Sequence, residues 1–265
     1  MHINNSKALR LQRIFRGNDR ALIVAMDHGS YMNVLPQAED PGKILDSIRE
    51  AGADAVLTTA GIAANYADRF GSMSLILRVD GSGSMLDSGA TFEQRYTVED
   101  ALRLGADAIA AMGFPGEGKG DTLHNLGRLA SQCLAWNMPL LAEMVPGGFN
   151  PSLHTPENIT LASRIGVELG ADIIKTSYTG DPDSFRKLTA GVFAPVVVLG
   201  GDKKGTISEL LQMVHDAVEA GANGVAVGRN VWQHDDAGGV VRALARVIHE
   251  GATVREAADE FERSK

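Results

Sequence analysis

Residues 169–175 read LGADIIK, and the skeleton of that phrase returns as AGADAV at 51–56, LGADAI at 104–109 and AGANGV at 220–225. Each copy follows a stretch with helical periodicity and runs into a short apolar segment. A glycine just past a helix closes it in the left-handed conformation, and an unbroken apolar run after it reads as a strand buried on both faces. The four phrases are therefore helix-to-strand junctions of one kind, with strands expected at 53–58, 106–112, 171–175 and 222–227. Four more apolar runs, each bounded by turn residues, fall at 21–26 (ALIVAM), 74–79 (SLILRV), 138–144 (MPLLAEM) and 194–199 (APVVVL).

Helical segments at 41–51, 123–136, 156–169, 183–188 and 207–220 separate these eight strands. Eight alternating units in 265 residues predict an α/β protein, a (β/α)8 TIM barrel, for which roughly 250 residues is typical. An open doubly wound sheet is the competitor, but no GxGxxG follows the first strand. An extra N-terminal helix is expected at 7–15, and the tail 240–262 reads as one or two closing helices. No Pro/Ser-rich linker or low-complexity tract divides the chain, so 1–265 is expected to form one barrel domain.

The composition, 44% hydrophobic and 22% charged, suits a globular protein with a sizeable core. A net charge of −8 argues against a nucleic-acid or anionic-membrane surface, so an anionic substrate would need a local site. The N-terminus lacks an apolar signal core and no run approaches the ~18 residues of a membrane helix, so a cytoplasmic protein is expected. The single cysteine, Cys133, sits in an apolar helix-like stretch, where a buried structural thiol is expected rather than a nucleophile.

Catalytic groups of this fold come from the C-terminal ends of the strands. Strand one ends in Asp27-His28, strand three carries Arg78 and ends in Asp80, strand five carries Glu143, and strand six carries Lys175. A charged lysine on a strand buried on both faces is costly unless paired or neutralised. The competing reading is a lysine that merely pairs with Asp27 or Asp80, or one just past the strand and in solvent. Only an uncharged amine attacks a carbonyl, and a buried, charged neighbourhood is where enzymes arrange that. The resulting iminium is an electron sink that lets the adjacent C–C bond break or form. Asp27 is the expected partner for proton transfer at a substrate hydroxyl; as a lone strand-end carboxylate it also reads as a cap or ion pair. Strand seven ends in Gly200-Gly201 and strand eight in Gly228-Arg229. Open backbone amides with a guanidinium in the last two loops are a frequent phosphate site of this fold. The histidines, His2, His28, His124, His154, His215, His234 and His249, form no HxH or HExxH spacing, so neither a metal nor another cofactor is expected.

Five segments, LRLQRIF, VAMDHG, GADIIKTSYTGDPDSFR, APVVVLGGDK and LLQMVHDAVEAGANGVAVGRNVWQHDD, resemble the archaeal-type class I fructose-bisphosphate aldolases and their relatives, the 2-amino-3,7-dideoxy-D-threo-hept-6-ulosonate synthases. The resemblance covers nearly the whole chain. It implies Lys175 as the Schiff-base lysine, Asp27 as a catalytic acid/base, and a phosphate site at Gly200, Gly201, Gly228 and Arg229; His28, at the end of strand one, is a further expected substrate-binding residue. It also implies a homo-oligomer. One departure stands out. The family pattern Tyr-Pro-Arg-Gly after strand five, whose tyrosine transfers protons, is here Val145-Pro146-Gly147-Gly148. Glu143, two residues earlier and on the same side of the strand, is the expected replacement; Tyr178 is the weaker one.

The expected function is a class I aldolase acting on a phosphorylated ketose or related keto compound, with a dihydroxyacetone-phosphate half. Autoinducer-processing thiolases of the same superfamily also lack the tyrosine, so the alternative is a retro-Claisen acyl transferase using the same lysine on a phosphorylated diketone. A barrel that only binds sugar phosphates would keep the Gly/Arg loops but leave Lys175 unexplained.

Overall fold

The computed structural model describes residues 5–30, 36–84, 86, 92–118, 121–148, 150–201 and 205–263. Eight parallel strands close into a barrel: β1 (Ala21–Met26), β2 (Ala55–Thr58), β3 (Ser74–Arg78), β4 (Ala108–Gly113), β5 (Leu140–Met144), β6 (Ile173–Thr176), β7 (Val196–Leu199) and β8 (Gly224–Val227). They are neighbours in chain order, and β1 pairs with both β2 and β8. The described helices are α1 (Asn5–Ile14), α2 (Pro41–Glu50), α3 (Ala60–Asn65), α4 (Val98–Arg103), α5 (Thr122–Trp136), α6 (Pro156–Glu168), α7 (Pro182–Gly191), α8 (Ile207–Glu219), α9 (Arg229–Trp232), α10 (Ala237–Glu250) and α11 (Val254–Arg263). The expected barrel, leading helix and closing pair are all present. The short α3, α4 and α9 were not anticipated, because four to six residues carry too little periodicity to read. None of the described helices is long and apolar enough to cross a membrane.

The recurring glycines Gly52, Gly105, Gly170 and Gly221 have φ of +93°, +77°, +102° and +99°, which is the expected left-handed helix stop. Several helix starts are equally legible: Asp40, Thr155 and Asp181 each cap a helix that opens with proline. At the four repeated junctions the strand proper begins two residues later than the apolar pattern suggested. The intervening Ala-Asp or Ala-Asn pair has a separate task. Asp54 Oδ2 accepts from the Leu22 amide at 2.7 Å, Asp172 Oδ2 from Leu140 at 2.9 Å, and Asn223 Oδ1 from Val196 at 3.2 Å. Each side chain thus ties its own strand to the start of a neighbouring one.

Those carboxylates also explain α1. Lys7 reaches Asp172 at 2.8 Å, Arg13 reaches Asp107 at 2.6 Å, and Arg16 lies 3.5 Å from Asp54. Ile14 and Phe15 insert their apolar side chains into the barrel cluster of Ala21, Ile23, Leu57, Ile76, Leu141, Ile173 and Val197. The leading segment therefore seals the N-terminal end of the barrel with an apolar plug and a ring of ion pairs.

Side chains alternate along each strand, so every second residue faces the barrel axis. The inward set Ala21, Ile23 and Ala25 packs in the interior cluster, whereas Leu22, Val24 and Met26 join the larger cluster under the helices. The same parity sorts β6: Ile173 is inside and Ile174 outside. Continuing the inward rows by two residues reaches Asp27, Arg78, Glu143 and Lys175. The pleat that builds the apolar core thus also delivers the polar groups to one end.

Candidate active site

A cavity of about 490 Å³ opens at the C-terminal ends of the strands, and all eight expected residues line it: Lys175, Asp27, Glu143, His28, Gly200, Gly201, Gly228 and Arg229. Lys175 is only 4% exposed. Its ladder partner is Glu143 on the adjacent strand, and Nζ lies 2.9 Å from Glu143 Oε1. The lysine thus pairs with Glu143 rather than with Asp27 or Asp80, because directly opposed residues on neighbouring strands share one face.

Arg78, a strand-end residue to which the sequence pattern assigns no role, is the hub of the site. Nε donates to Asp27 Oδ2 at 2.8 Å, Nη2 donates to Glu143 Oε2, and Nη1 sits 3.5 Å from Asp80 Oδ1. A guanidinium presents its donors as a rigid fork, so one arginine can engage several carboxylates where a lysine cannot. Asp80 in turn accepts from the Met112 amide at 2.7 Å. The signal for Arg78 was its inward parity on a strand flanked by acidic strand ends, which the strand pattern alone does not convert into contacts.

Burial and charge set the protonation states. Burial pushes the Asp27 carboxyl up, but Arg78, Lys175 and His28 more than offset it and bring the pKa from 3.8 to about 2. For Glu143 burial again acts upward, and Lys175 with Arg78 outweighs it, so the pKa lies below the ordinary value. Burial wins at Asp80, which is raised despite Arg78 and the Met112 amide. Burial lowers the His28 pKa, Asp27 opposes it, and Lys175 and Arg229 add to the lowering. The imidazole is therefore neutral at pH 7, edge-on to Trp232 with ring centres 5.5 Å apart.

The last two loops meet through Asn230, whose Nδ2 donates to the Gly200 carbonyl at 2.9 Å. A Cβ on Gly228 would lie 2.5 Å from the Ala25 carbonyl oxygen, so this glycine is needed for close packing against β1. Asp202 and Lys203 of the GGDK segment, and His2, lie outside the described residues. Val145, at the position of the family tyrosine, is buried against Met112 and Phe114 and carries no proton. Tyr178 does not line the cavity; its ring packs 5.3 Å from Phe185. His154 does line it, a residue that the histidine spacing gave no reason to select. Cys133 is buried, and burial pushes its thiol up to about 12, which suits the structural reading.

A buried lysine paired to a carboxylate, in a polar ring at the C-terminal end of a (β/α)8 barrel, is the equipment of a class I aldolase. Residues 21–234 match the DeoC/LacD family aldolase model. The class 1 fructose-bisphosphate aldolase of Thermoproteus tenax is 37% identical over 255 residues, covering 92% of this chain and 95% of that protein. The 2-amino-3,7-dideoxy-D-threo-hept-6-ulosonate synthase of Halobacterium salinarum is 34% identical over 247 residues, covering 93% and 92%. A solved archaeal fructose-1,6-bisphosphate aldolase, with its catalytic lysine covalently bound to the carbinolamine intermediate of the substrate, superposes with a TM-score of 0.83 at 36% identity, covering 92% of this chain and 99% of that one. The chain belongs to the DeoC/LacD aldolase family, and it is a class I, Schiff-base aldolase.

Proposed function

We propose that this aldolase makes or cleaves a C–C bond in a phosphorylated ketose or related keto compound, with dihydroxyacetone phosphate as one half, and that Lys175 carries the iminium. The observation behind this reading is the placement of Lys175: buried, 2.9 Å from Glu143, and facing the cavity that also holds the Gly200-Gly201 and Gly228-Arg229 loops. Glu143 serves the amine as it adds to the carbonyl and loses water. Asp27, an ionised acceptor held by Arg78, receives the substrate hydroxyl and its proton. Its proton affinity rises when the bond breaks, because the positive charge of the iminium is then neutralised. The last two loops hold the phosphate. The chain is proposed to be one barrel domain of a cytoplasmic protein, and the resemblance supports a homo-oligomer, which light scattering tests.

The deciding experiment incubates the protein with dihydroxyacetone phosphate, fructose 1,6-bisphosphate and a panel of sugar phosphates, reduces with borohydride, and maps adducts by peptide mass spectrometry. An adduct on Lys175, with turnover abolished in a folded Lys175→Met variant, is expected. No adduct from any compound, with turnover lost instead to a chelator, would overturn the reading.

A further inference from the structure

Two proton transfers accompany aldol chemistry through an iminium, one at the substrate hydroxyl and one at the carbon next to the iminium. The carboxylates around Lys175 are poorly placed to perform both. Glu143 is engaged at each oxygen, Oε1 by Lys175 and Oε2 by Arg78. Asp27 is held by Arg78 and projects from the end of β1. In an eight-strand barrel β1 and β5 are four strands apart in either direction, hence on opposite walls. A substrate centre turned toward the β5 wall needs a different proton carrier, and Val145 there has none.

That wall carries His154. After β5 the chain passes through Gly147 and Gly148, both left-handed at φ of +67° and +61°. A Cβ on Gly147 would fall 2.3 Å from Leu153 Cδ1, so glycine is what allows the loop to fold back this tightly. A single 3-10 turn follows at Pro151–Leu153, capped by Asn150, and His154 comes immediately before Thr155, the N-cap of α6. Asn158 Nδ2 donates to the Leu153 carbonyl at 3.0 Å and fastens the loop to that helix. His154 is thus set by a rigid helix start on one side and a glycine turn on the other.

The turn also sets its tautomer. His154 Nε2 lies 2.9 Å from the Gly148 carbonyl oxygen. A carbonyl only accepts, so Nε2 carries a hydrogen, and in the neutral ring the lone pair is on Nδ1. Nδ1 makes no hydrogen bond among the described residues, and the residue lines the cavity. An imidazole with one nitrogen held by a carbonyl and the other making no hydrogen bond among the described residues is suited to general acid–base work.

Resting on the Schiff-base reading above, we infer that His154 is a further catalytic residue, the group that moves the proton at the carbon adjacent to the iminium. In the synthetic direction the Lys175 iminium of dihydroxyacetone phosphate loses a proton from its hydroxymethyl carbon to His154 Nδ1. The C–H electron pair becomes the C=C bond of the enamine, and the C=N pair moves onto the lysine nitrogen. In cleavage the C–C pair becomes the enamine double bond, the imidazolium returns its proton to that carbon, and the iminium is restored for hydrolysis. No oxidant, reductant or further reactant is needed.

The test uses dihydroxyacetone phosphate in deuterium oxide, reading two things from each protein: borohydride-trapped adduct on Lys175 and deuterium entering the hydroxymethyl carbon. His154→Gln is expected to keep the adduct and lose exchange by roughly a hundredfold to ten-thousandfold, the usual contribution of a positioned acid/base. His154→Ala with added imidazole is expected to recover part of that exchange, which a purely structural role would not show. Full exchange in His154→Gln with the adduct intact would overturn the role of His154 and leave the aldolase reading standing. Loss of the adduct in both variants would make the residue structural and equally overturn it. No adduct in the wild-type protein would remove the Schiff-base reading itself, and this inference with it.

Discussion

Arg78 bonds Asp27 and Glu143 and lies near Asp80, and none of the four side chains is more than 13% exposed. Removing one member of such a buried network leaves the others uncompensated, at a cost of about 3–5 kcal/mol. Arg78→Met is therefore expected to lower the free energy of unfolding by that amount and to reduce turnover, because Asp27 and Glu143 lose their common anchor. Arg78→Lys should not restore it, since a single ammonium lacks the fork. A urea titration of each variant against wild type checks this, and an unchanged midpoint would show that the network is dispensable. The low pKa of Asp27 has a signed consequence. A carboxyl lowered from 3.8 to about 2 in the fold stabilises the protein above the unfolded value and loses that contribution as pH falls toward 2. The contribution is about 2 kcal/mol. Wild-type stability should thus fall more steeply than that of Asp27→Asn between about pH 4 and 2; parallel curves from chemical denaturation would contradict it.

At the scale of elements, the repeated Ala-Asp junction does two things with one phrase. Its glycine stops a helix, and its carboxylate fastens neighbouring strands and receives side chains from the leading segment and from α10. Asp54 shows the load: it accepts from the Leu22 amide at 2.7 Å and from His249 Nε2 at 2.8 Å, with Arg16 at 3.5 Å. Asp54→Ala would leave a buried amide unpaired, costing about 1–3 kcal/mol. The midpoint of thermal unfolding should drop by several degrees while kcat stays unchanged, because the junction is at the barrel end remote from Lys175. Calorimetry beside a turnover assay separates the two, and a fall in kcat without a thermal shift would refute this division. The periodicity of these junctions was fully legible. Their partners were not, because Lys7 and Asp172 are 165 positions apart and no local pattern links them.

The whole molecule carries a net charge of −8, which repels an anionic substrate at long range. On the proposed reading, phosphate binding rests on a local cation and backbone amides, and Arg229, which lines the cavity, is the proposed source of the charge. A charge-assisted hydrogen bond contributes about 1.5–3 kcal/mol, so Arg229→Met is expected to raise KM for a phosphorylated substrate roughly ten- to hundredfold with kcat little changed. Steady-state kinetics at fixed ionic strength decides it, and an unchanged KM would place the phosphate elsewhere. From sequence alone came the eight strands, their alternation with helices, and the polar residues at the strand ends, because period-two burial and helix-stop glycines are local properties of the chain. Lys175 stood out in the sequence because it is a charge on a strand expected to be buried on both faces. Only the tertiary structure decided that Lys175 pairs with Glu143, that Arg78 joins three carboxylates, and that His154 reaches the same cavity. These are consequences of barrel register and of one glycine turn, and they bring together groups that no spacing along the chain relates.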